Sequence, residues 1–163
     1  MKRLILTVAL MGFFSAVPLP TLADLPKDGS YDYTVCFTRK ASRIEHSPSR
    51  FAYSYEESGT AVGKIPGSLF DGERVRCVGF TASIDDKRTG GSMCEGIAKN
   101  GDRRLTRFWY DEEGKLQRVQ VAGTGVYDGF TTTGSVKTIG ATEEIEPGTT
   151  RFCNQATGTY KLR

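Results

Sequence analysis

The feature that most limits the fold is a period-two alternation of apolar and polar residues that recurs along the chain. In the runs 31–38 and 51–56, aromatic and aliphatic residues stand at every second position. This period is typical of half-buried antiparallel strands, whose successive side chains point to opposite faces. Similar runs occupy 74–84, 90–98, 103–110, 116–122, 124–130, 132–139 and 156–162. The pattern predicts an all-β chain with almost no helix.

The number of strands and the placement of the aromatic residues predict a barrel. Eight to ten short strands in one domain allow either a barrel or a two-sheet sandwich. A barrel of this size has room inside for side chains or for one small ligand. Aromatic residues available to fill or line the interior are Tyr31, Tyr33, Phe37, Phe51, Tyr53, Tyr55 and Phe80. We therefore expect a single antiparallel β-barrel of about eight strands with short turns, held by disulfides.

Turn residues and polar stretches predict where the strands end. Asn100-Gly101 is a strong two-residue hairpin signal, because both residues tolerate a positive φ. The polar stretch 39–49 is interpreted as a loop, and so is the longer stretch 56–73. In the second loop, three apolar residues are expected to be exposed as a lid or contact surface: Ile65, Leu69 and Phe70.

The first 23 residues have the layout of a secretory signal peptide. Lys2 and Arg3 precede an apolar run that ends at Pro18, and a small residue, Ala23, closes the segment. We expect residues 1–23 to be a signal peptide and 24–163 to be the β-barrel domain, exported to the periplasm or secreted. The apolar run is short for a membrane span, and no second one follows. Loss of the segment lowers the net charge from +3 to +1, which predicts no nucleic-acid partner.

Four cysteines follow this segment, and an oxidising compartment makes two disulfides the expectation. Three pairings are possible among Cys36, Cys77, Cys94 and Cys153. We favour Cys77–Cys94 as a local link and Cys36–Cys153 as a link between the first and last strands. With strands at 74–84 and 90–98, a simple hairpin would not place Cys77 directly opposite Cys94. Because small and polar residues share the cysteine faces, both disulfides are expected on the outer wall or a rim.

One segment resembles a known family of barrels. Gly123-Thr124-Gly125-Val126-Tyr127, followed by Gly134, is similar to the G-[TS]-G-x-[FY] signature of allene oxide cyclase-like and dirigent-like, calycin-type barrels. The tail 153–160 resembles the closing strand of uncharacterised exported bacterial proteins of that architecture. The resemblance implies an eight-stranded antiparallel barrel with a central cavity. It carries over no catalytic position.

Chemistry-bearing residues are sparse. His46 is the only histidine and lies in a polar stretch, so we expect it to be exposed and outside any catalytic triad. No cofactor motif or metal-ligand spacing is present. Glu95 stands between Met93 and Ile97 on an apolar face, where an unpaired carboxylate is costly. It could meet Arg107 inside the barrel, as a ligand-orienting site or a structural bridge, although a structural or simply outward-facing position is the favoured interpretation.

The predicted ligand-binding set consists of Glu95, Arg107, Trp109, Tyr53 and Tyr55, with Glu95 the weak candidate for catalysis. Trp109 and Tyr110 could form an aromatic wall at the mouth of the barrel, although ordinary strand aromatics are the favoured interpretation. The favoured function is non-enzymatic binding of a small hydrophobic molecule or of a protein partner. One alternative is a cofactor-free cyclase or isomerase working inside the cavity by proton transfer. Another is an inhibitor or adhesion module that acts through surface loops.

Overall fold

The computed structural model describes residues 25–163, and almost all of them belong to strands or tight turns. The predicted signal peptide, residues 1–23, lies outside the described residues. The strands are β1 (Asp28–Ser47), β2 (Arg50–Gly63), β3 (Arg74–Ile84), β4 (Lys87–Ile97), β5 (Arg103–Tyr110), β6 (Leu116–Gly123), β7 (Thr131–Glu146) and β8 (Thr149–Lys161). The predicted all-β class is confirmed. Within the described part of the chain, no helix is long and apolar enough to cross a membrane.

The eight strands form one antiparallel sheet that curls into a half-barrel. Their order is β6-β5-β4-β3-β2-β1-β8-β7, so the first and last strands pair as expected. Strands β6 and β7 are the two edges, and they meet at a seam without a backbone ladder in the described residues. A side-chain hydrogen bond crosses this seam, where Gln120 Nε2 donates to Thr132 Oγ1 at 3.2 Å. The sheet is therefore curled far enough for its edges to touch through side chains.

Two stretches interpreted as loops belong largely to strands. Residues 39–47 continue β1 and pair with β2, which itself extends to Gly63 and leaves a loop only at 64–73. By contrast, the predicted strand 124–130 is wrong. That segment contains a single turn of 3₁₀-helix, Gly125–Tyr127, and links β6 to β7 across the base of the half-barrel.

The β3–β4 hairpin has a tighter turn than the sequence suggested. Asp85 and Asp86 form a two-residue turn in which both have positive φ, 51° and 65°. This is the type I′ geometry whose twist matches paired strands, and Asp tolerates it better than most residues. The predicted Asn100-Gly101 two-residue turn is wrong, because β4 ends at Ile97 and β5 begins at Arg103. There only Gly101 has a positive φ.

Both predicted disulfides are present. Cys36–Cys153 links β1 to β8, and Cys77–Cys94 links β3 to β4. The short Asp85-Asp86 turn places Cys77 directly opposite Cys94, which corrects the expected offset. Cys36 is exposed on the outer wall, as predicted. The expected outer position of Cys77 and Cys94 is wrong, because both are buried in the inner wall beside Val75 and Phe152.

The loop 64–73 closes the base of the half-barrel. Leu69 and Phe70 are almost fully buried, which overturns their expected role as an exposed lid, whereas Ile65 is exposed. Phe70 has a φ of 75°, unusual for a large side chain, and contacts the rings of Tyr31 and Tyr127. The loop thus supplies the floor of the interior.

Asp71 holds this loop in place, and its charge is expected to matter. Its two carboxylate oxygens accept hydrogen bonds from the backbone N–H groups of Gly67 and Gly63, each at 3.0 Å. These bonds hold the pKa of the Asp71 carboxyl below its usual value of 3.8, and the bond from Gly67 has the larger effect. We expect Asp71→Asn to lower the free energy of unfolding by about 1 to 2 kcal/mol near neutral pH.

The sign of the pH dependence follows from the lowered pKa. Asp71 stabilises the fold above its unfolded-state pKa, and this contribution disappears as the pH falls through the folded-state value. The difference between wild type and Asp71→Asn, measured by urea unfolding over a pH series, should therefore shrink in acid. A difference that stays constant down to about pH 2 would contradict a role for the carboxylate charge.

Candidate functional site

The interior of the half-barrel contains a cavity of about 300 Å³. Loop 64–73 and the 3₁₀ turn close it at the base, whereas the opposite end carries only the short turns between strands. Its wall is rich in aromatic side chains: Tyr31, Tyr33, Phe37, Tyr53, Tyr55, Phe70, Phe108, Tyr110 and Phe152. A concave, largely aromatic site of this size with a few polar groups is typical of small-molecule binding.

Tyr55 is seated in the wall by a glycine on the neighbouring strand. Gly79 pairs with Tyr55 across β2 and β3, and a Cβ atom built on Gly79 would lie 2.5 Å from the Tyr55 ring. Any larger residue at this position would push the ring into the cavity. The missing side chain therefore sets how far Tyr55 protrudes and how much of the interior stays open.

An ion pair lies on the cavity wall between β1 and β2. Arg39 Nε donates to Glu57 Oε2 at 2.7 Å, and the Glu57 side chain is 9% exposed. The Arg39 guanidinium lies 4.6 Å from the Tyr55 ring centre and 4.3 Å from that of Phe152. Burial raises the pKa of the Glu57 carboxyl, and the charge of Arg39 opposes that shift. The pair places one cation between two aromatic faces, a favourable cation–π arrangement.

A second ion pair is completely buried at the base. Arg104 forms two hydrogen bonds with Glu73, from Nε to Oε1 at 2.8 Å and from Nη2 to Oε2 at 2.6 Å. Burial lowers the pKa of the Arg104 guanidinium, but the charge and hydrogen bonds of Glu73, together with Tyr33 and Tyr127, outweigh that effect and leave the pKa above its ordinary value. Arg104 also stacks on Phe70 at 4.8 Å. This pair joins β5 to the end of loop 64–73.

Arg118 reaches across the interior from β6. Its Nη2 donates to Tyr31 Oη, and Tyr31 Oη in turn donates to the backbone carbonyl of Thr133 at 2.9 Å. Arg118 is half-buried and forms no ion pair with any residue that the structure describes. Arg88 lines the open end of the cavity and is exposed.

The buried phenols of the wall are held in their neutral form. Burial raises the pKa of Tyr33 and of Tyr55, which line the cavity. Burial also raises the pKa of Tyr127, whose hydroxyl is buried without a hydrogen-bond partner among the described residues. All three phenols are therefore uncharged near neutral pH.

The structure brings together two of the five predicted ligand-binding residues. Tyr53 and Tyr55 line the cavity and pack at 5.5 Å between ring centres. Glu95, Arg107 and Trp109 instead lie on the outer face of the sheet.

The alternative that pairs Glu95 with Arg107 inside the barrel is wrong, whereas the favoured outward-facing position agrees with the structure. Glu95 contacts Arg103 at 3.5 Å on the outer surface, and Arg107 lies 5.2 Å from the Trp109 ring centre on the same face. The aromatic wall of Trp109 and Tyr110 is also wrong, because adjacent residues of a strand point to opposite sides and only Tyr110 lines the cavity.

The sequence-based reading missed the charged residues of the cavity. Arg39 and Glu57 continue the inward alternation of Tyr31–Phe37 and of Tyr53–Tyr55, so the period-two pattern held the signal. Both residues lie beyond the predicted strand ends at 38 and 56, because a charged residue at such a position resembles the start of a solvated loop. His46 is exposed, as expected.

No protein-family model matches the chain, and no curated protein or solved structure shows significant similarity to it. The resemblance to allene oxide cyclase-like and dirigent-like barrels therefore stays a prediction. Within residues 25–163, no group of three His, Cys, Asp or Glu side chains is placed to hold a metal ion.

Proposed function

We propose that this protein binds a small, largely apolar molecule inside the half-barrel. The observation that carries the proposal is the cavity of about 300 Å³ between the aromatic wall and the buried base. Apolar surface removed from water contributes about 25 cal/mol per Å², and aromatic walls offer a large area to a flat or elongated ligand. Export through the predicted signal peptide would place this binding protein in an oxidising compartment, as its two disulfides suggest.

The cavity offers less support for a cyclase or isomerase. Proton transfer needs a group whose pKa lies near the working pH and that reaches the substrate. Glu95, the sequence-based candidate for this role, lies on the outer face next to Arg103. The cavity carboxylate, Glu57, is bonded to Arg39. Binding therefore remains the function that the site supports best.

A neutral fluorescent probe, N-phenyl-1-naphthylamine, tests the proposal. Its emission rises in an apolar environment, and we expect a saturable rise with the purified protein. Ser92 points into the cavity, and its neighbour Met93 points to the outer face. Ser92→Phe should fill the cavity and weaken binding by about tenfold or more. Met93→Phe adds the same ring outside and should leave binding unchanged.

This matched pair separates the cavity from the outer face as the site of binding. Equal affinity of the two variants would contradict the proposal, since the probe would then lie outside the half-barrel. Near-UV circular dichroism of both variants shows whether their aromatic packing is retained. A folded wild type that does not bind the probe would contradict the proposal as well.

A further inference from the structure

The cavity carries more positive than negative charge. Four arginines line it, and only two of them have a carboxylate partner among the described residues. Arg39 pairs with Glu57, and Arg104 pairs with Glu73. Arg88 and Arg118 have none. The interior therefore has an excess of two guanidinium groups over carboxylates.

Arg118 is the unpaired cation whose position is fixed. Its guanidinium lies 5.7 Å from the centre of the Tyr31 ring, and one Nη donates to the Tyr31 hydroxyl. Tyr31 is 4% exposed, and Thr133 of β7 accepts the hydrogen bond of its hydroxyl. The Arg118 side chain is thereby anchored at the seam, while its remaining N–H groups have no acceptor among the described residues. A guanidinium has five N–H donors, so most of this capacity is unused.

We propose that the bound molecule is an amphipathic anion whose acidic group contacts Arg118 and whose apolar body packs against the aromatic wall. This inference rests on the proposed function. A half-buried cation without a counter-ion loses hydration, and the hydrogen bond to Tyr31 replaces only part of it. A carboxylate, sulfonate or phosphate would replace it, and a planar guanidinium can hold two of its oxygens at once.

The other arginines of the cavity fit this role less well. The Nε of Arg39 is occupied by Glu57, whose negative charge would repel a second anion. Arg104 is fully buried and already bidentate with Glu73. Arg88 is exposed at the open end, where water and salt screen its charge. Arg118 alone combines partial burial, a fixed position and free donors.

Two fluorescent probes that differ by one acidic group test the inference. 8-Anilinonaphthalene-1-sulfonate carries a sulfonate that N-phenyl-1-naphthylamine lacks, so the ratio of their affinities isolates the contribution of the anion. We expect wild type to prefer the sulfonate by about tenfold or more, since charge-assisted hydrogen bonds are the strong ones. Arg118→Gln should bring this ratio close to one.

Arg107→Gln is the matched control, because it removes the same charge from the outer face of the neighbouring strand. It should keep the wild-type preference. Arg118→Lys retains a positive charge without the planar guanidinium and should keep part of the preference for the sulfonate. Binding of the neutral probe by Arg118→Gln reports that its cavity is intact.

The outcomes separate this inference from the proposed function. Two results would overturn the anionic ligand and leave an apolar binding cavity. One is equal binding of the two probes by wild type. The other is an equal loss of the preference for the sulfonate in Arg107→Gln and Arg118→Gln. Absence of neutral-probe binding, or binding that Ser92→Phe does not weaken, would overturn the proposed function itself.

Discussion

Replacing Cys36 and Cys153 together by valine is expected to lower the free energy of unfolding by about 4 to 5 kcal/mol. The two residues are 117 positions apart and join β1 to β8, so their bond encloses most of the described chain. A crosslink of this kind restricts the unfolded ensemble, and the restriction grows with the length of the closed loop. The paired strands themselves are expected to keep their register, because β1 and β8 share a ladder from Asp28 to Lys40.

The second disulfide is the matched control for this prediction. Cys77 and Cys94 are only 17 positions apart, so the same replacement should cost about 3 kcal/mol. Valine keeps the apolar character of this pair, which is buried in the inner wall. The measurement is urea unfolding of both double variants, followed by far-UV circular dichroism. A larger loss for the local pair than for the distant one would contradict an effect governed by loop length.

The disulfide pairing and the antiparallel sheet could be predicted because both depend on simple patterns. Period-two alternation identifies strands, and an even number of cysteines in a chain with an export signal identifies disulfides. The side of the sheet on which each strand buries its residues was harder to predict. On β3, Val78 and Phe80 are 50% and 49% exposed, whereas Cys77 and Thr81 are buried.

The predicted inner and outer faces of β3 are therefore exchanged in the structure, and this inversion has a physical cause. Alternation shows that two faces differ but not which one points inward. The inner face of β3 belongs to one core cluster with Val35 and Phe37 of β1 and Phe152 of β8, so its burial depends on residues distant in sequence. Because β4 pairs with β3 and β5 pairs with β4 in regular register, the same inversion puts Glu95 and Arg107 on the outer face.

The charged residues of the interior were missed for a related reason. Arg39, Glu57, Glu73 and Arg104 each look like a solvated residue next to a loop. Two charges can be buried together when they satisfy each other, and that compensation depends on a partner that the local sequence does not show. Arg104 and Glu73 are 31 positions apart, and Arg39 and Glu57 are 18 apart.

Breaking the Glu73–Arg104 pair is expected to be as costly as losing a disulfide. Arg104→Met should lower the free energy of unfolding by about 3 to 5 kcal/mol, because it leaves the Glu73 carboxylate buried without a counter-charge. Glu73 is 0% exposed, so water cannot compensate without opening the base. Glu73→Leu should lower the free energy of unfolding by a similar amount, since it leaves the Arg104 guanidinium buried without a counter-charge.

The double variant distinguishes a coupled pair from two independent contributions. Removing both charges also removes the cost of burying them, so Glu73→Leu with Arg104→Met should be far more stable than the sum of the single losses predicts. Urea unfolding of the four proteins gives the coupling free energy, and limited proteolysis at the exposed Ile65 reports whether loop 64–73 stays docked. We expect the loop to be cut faster in both single variants than in the double variant. Additive losses would show that the two residues stabilise the base separately and would contradict a coupled ion pair.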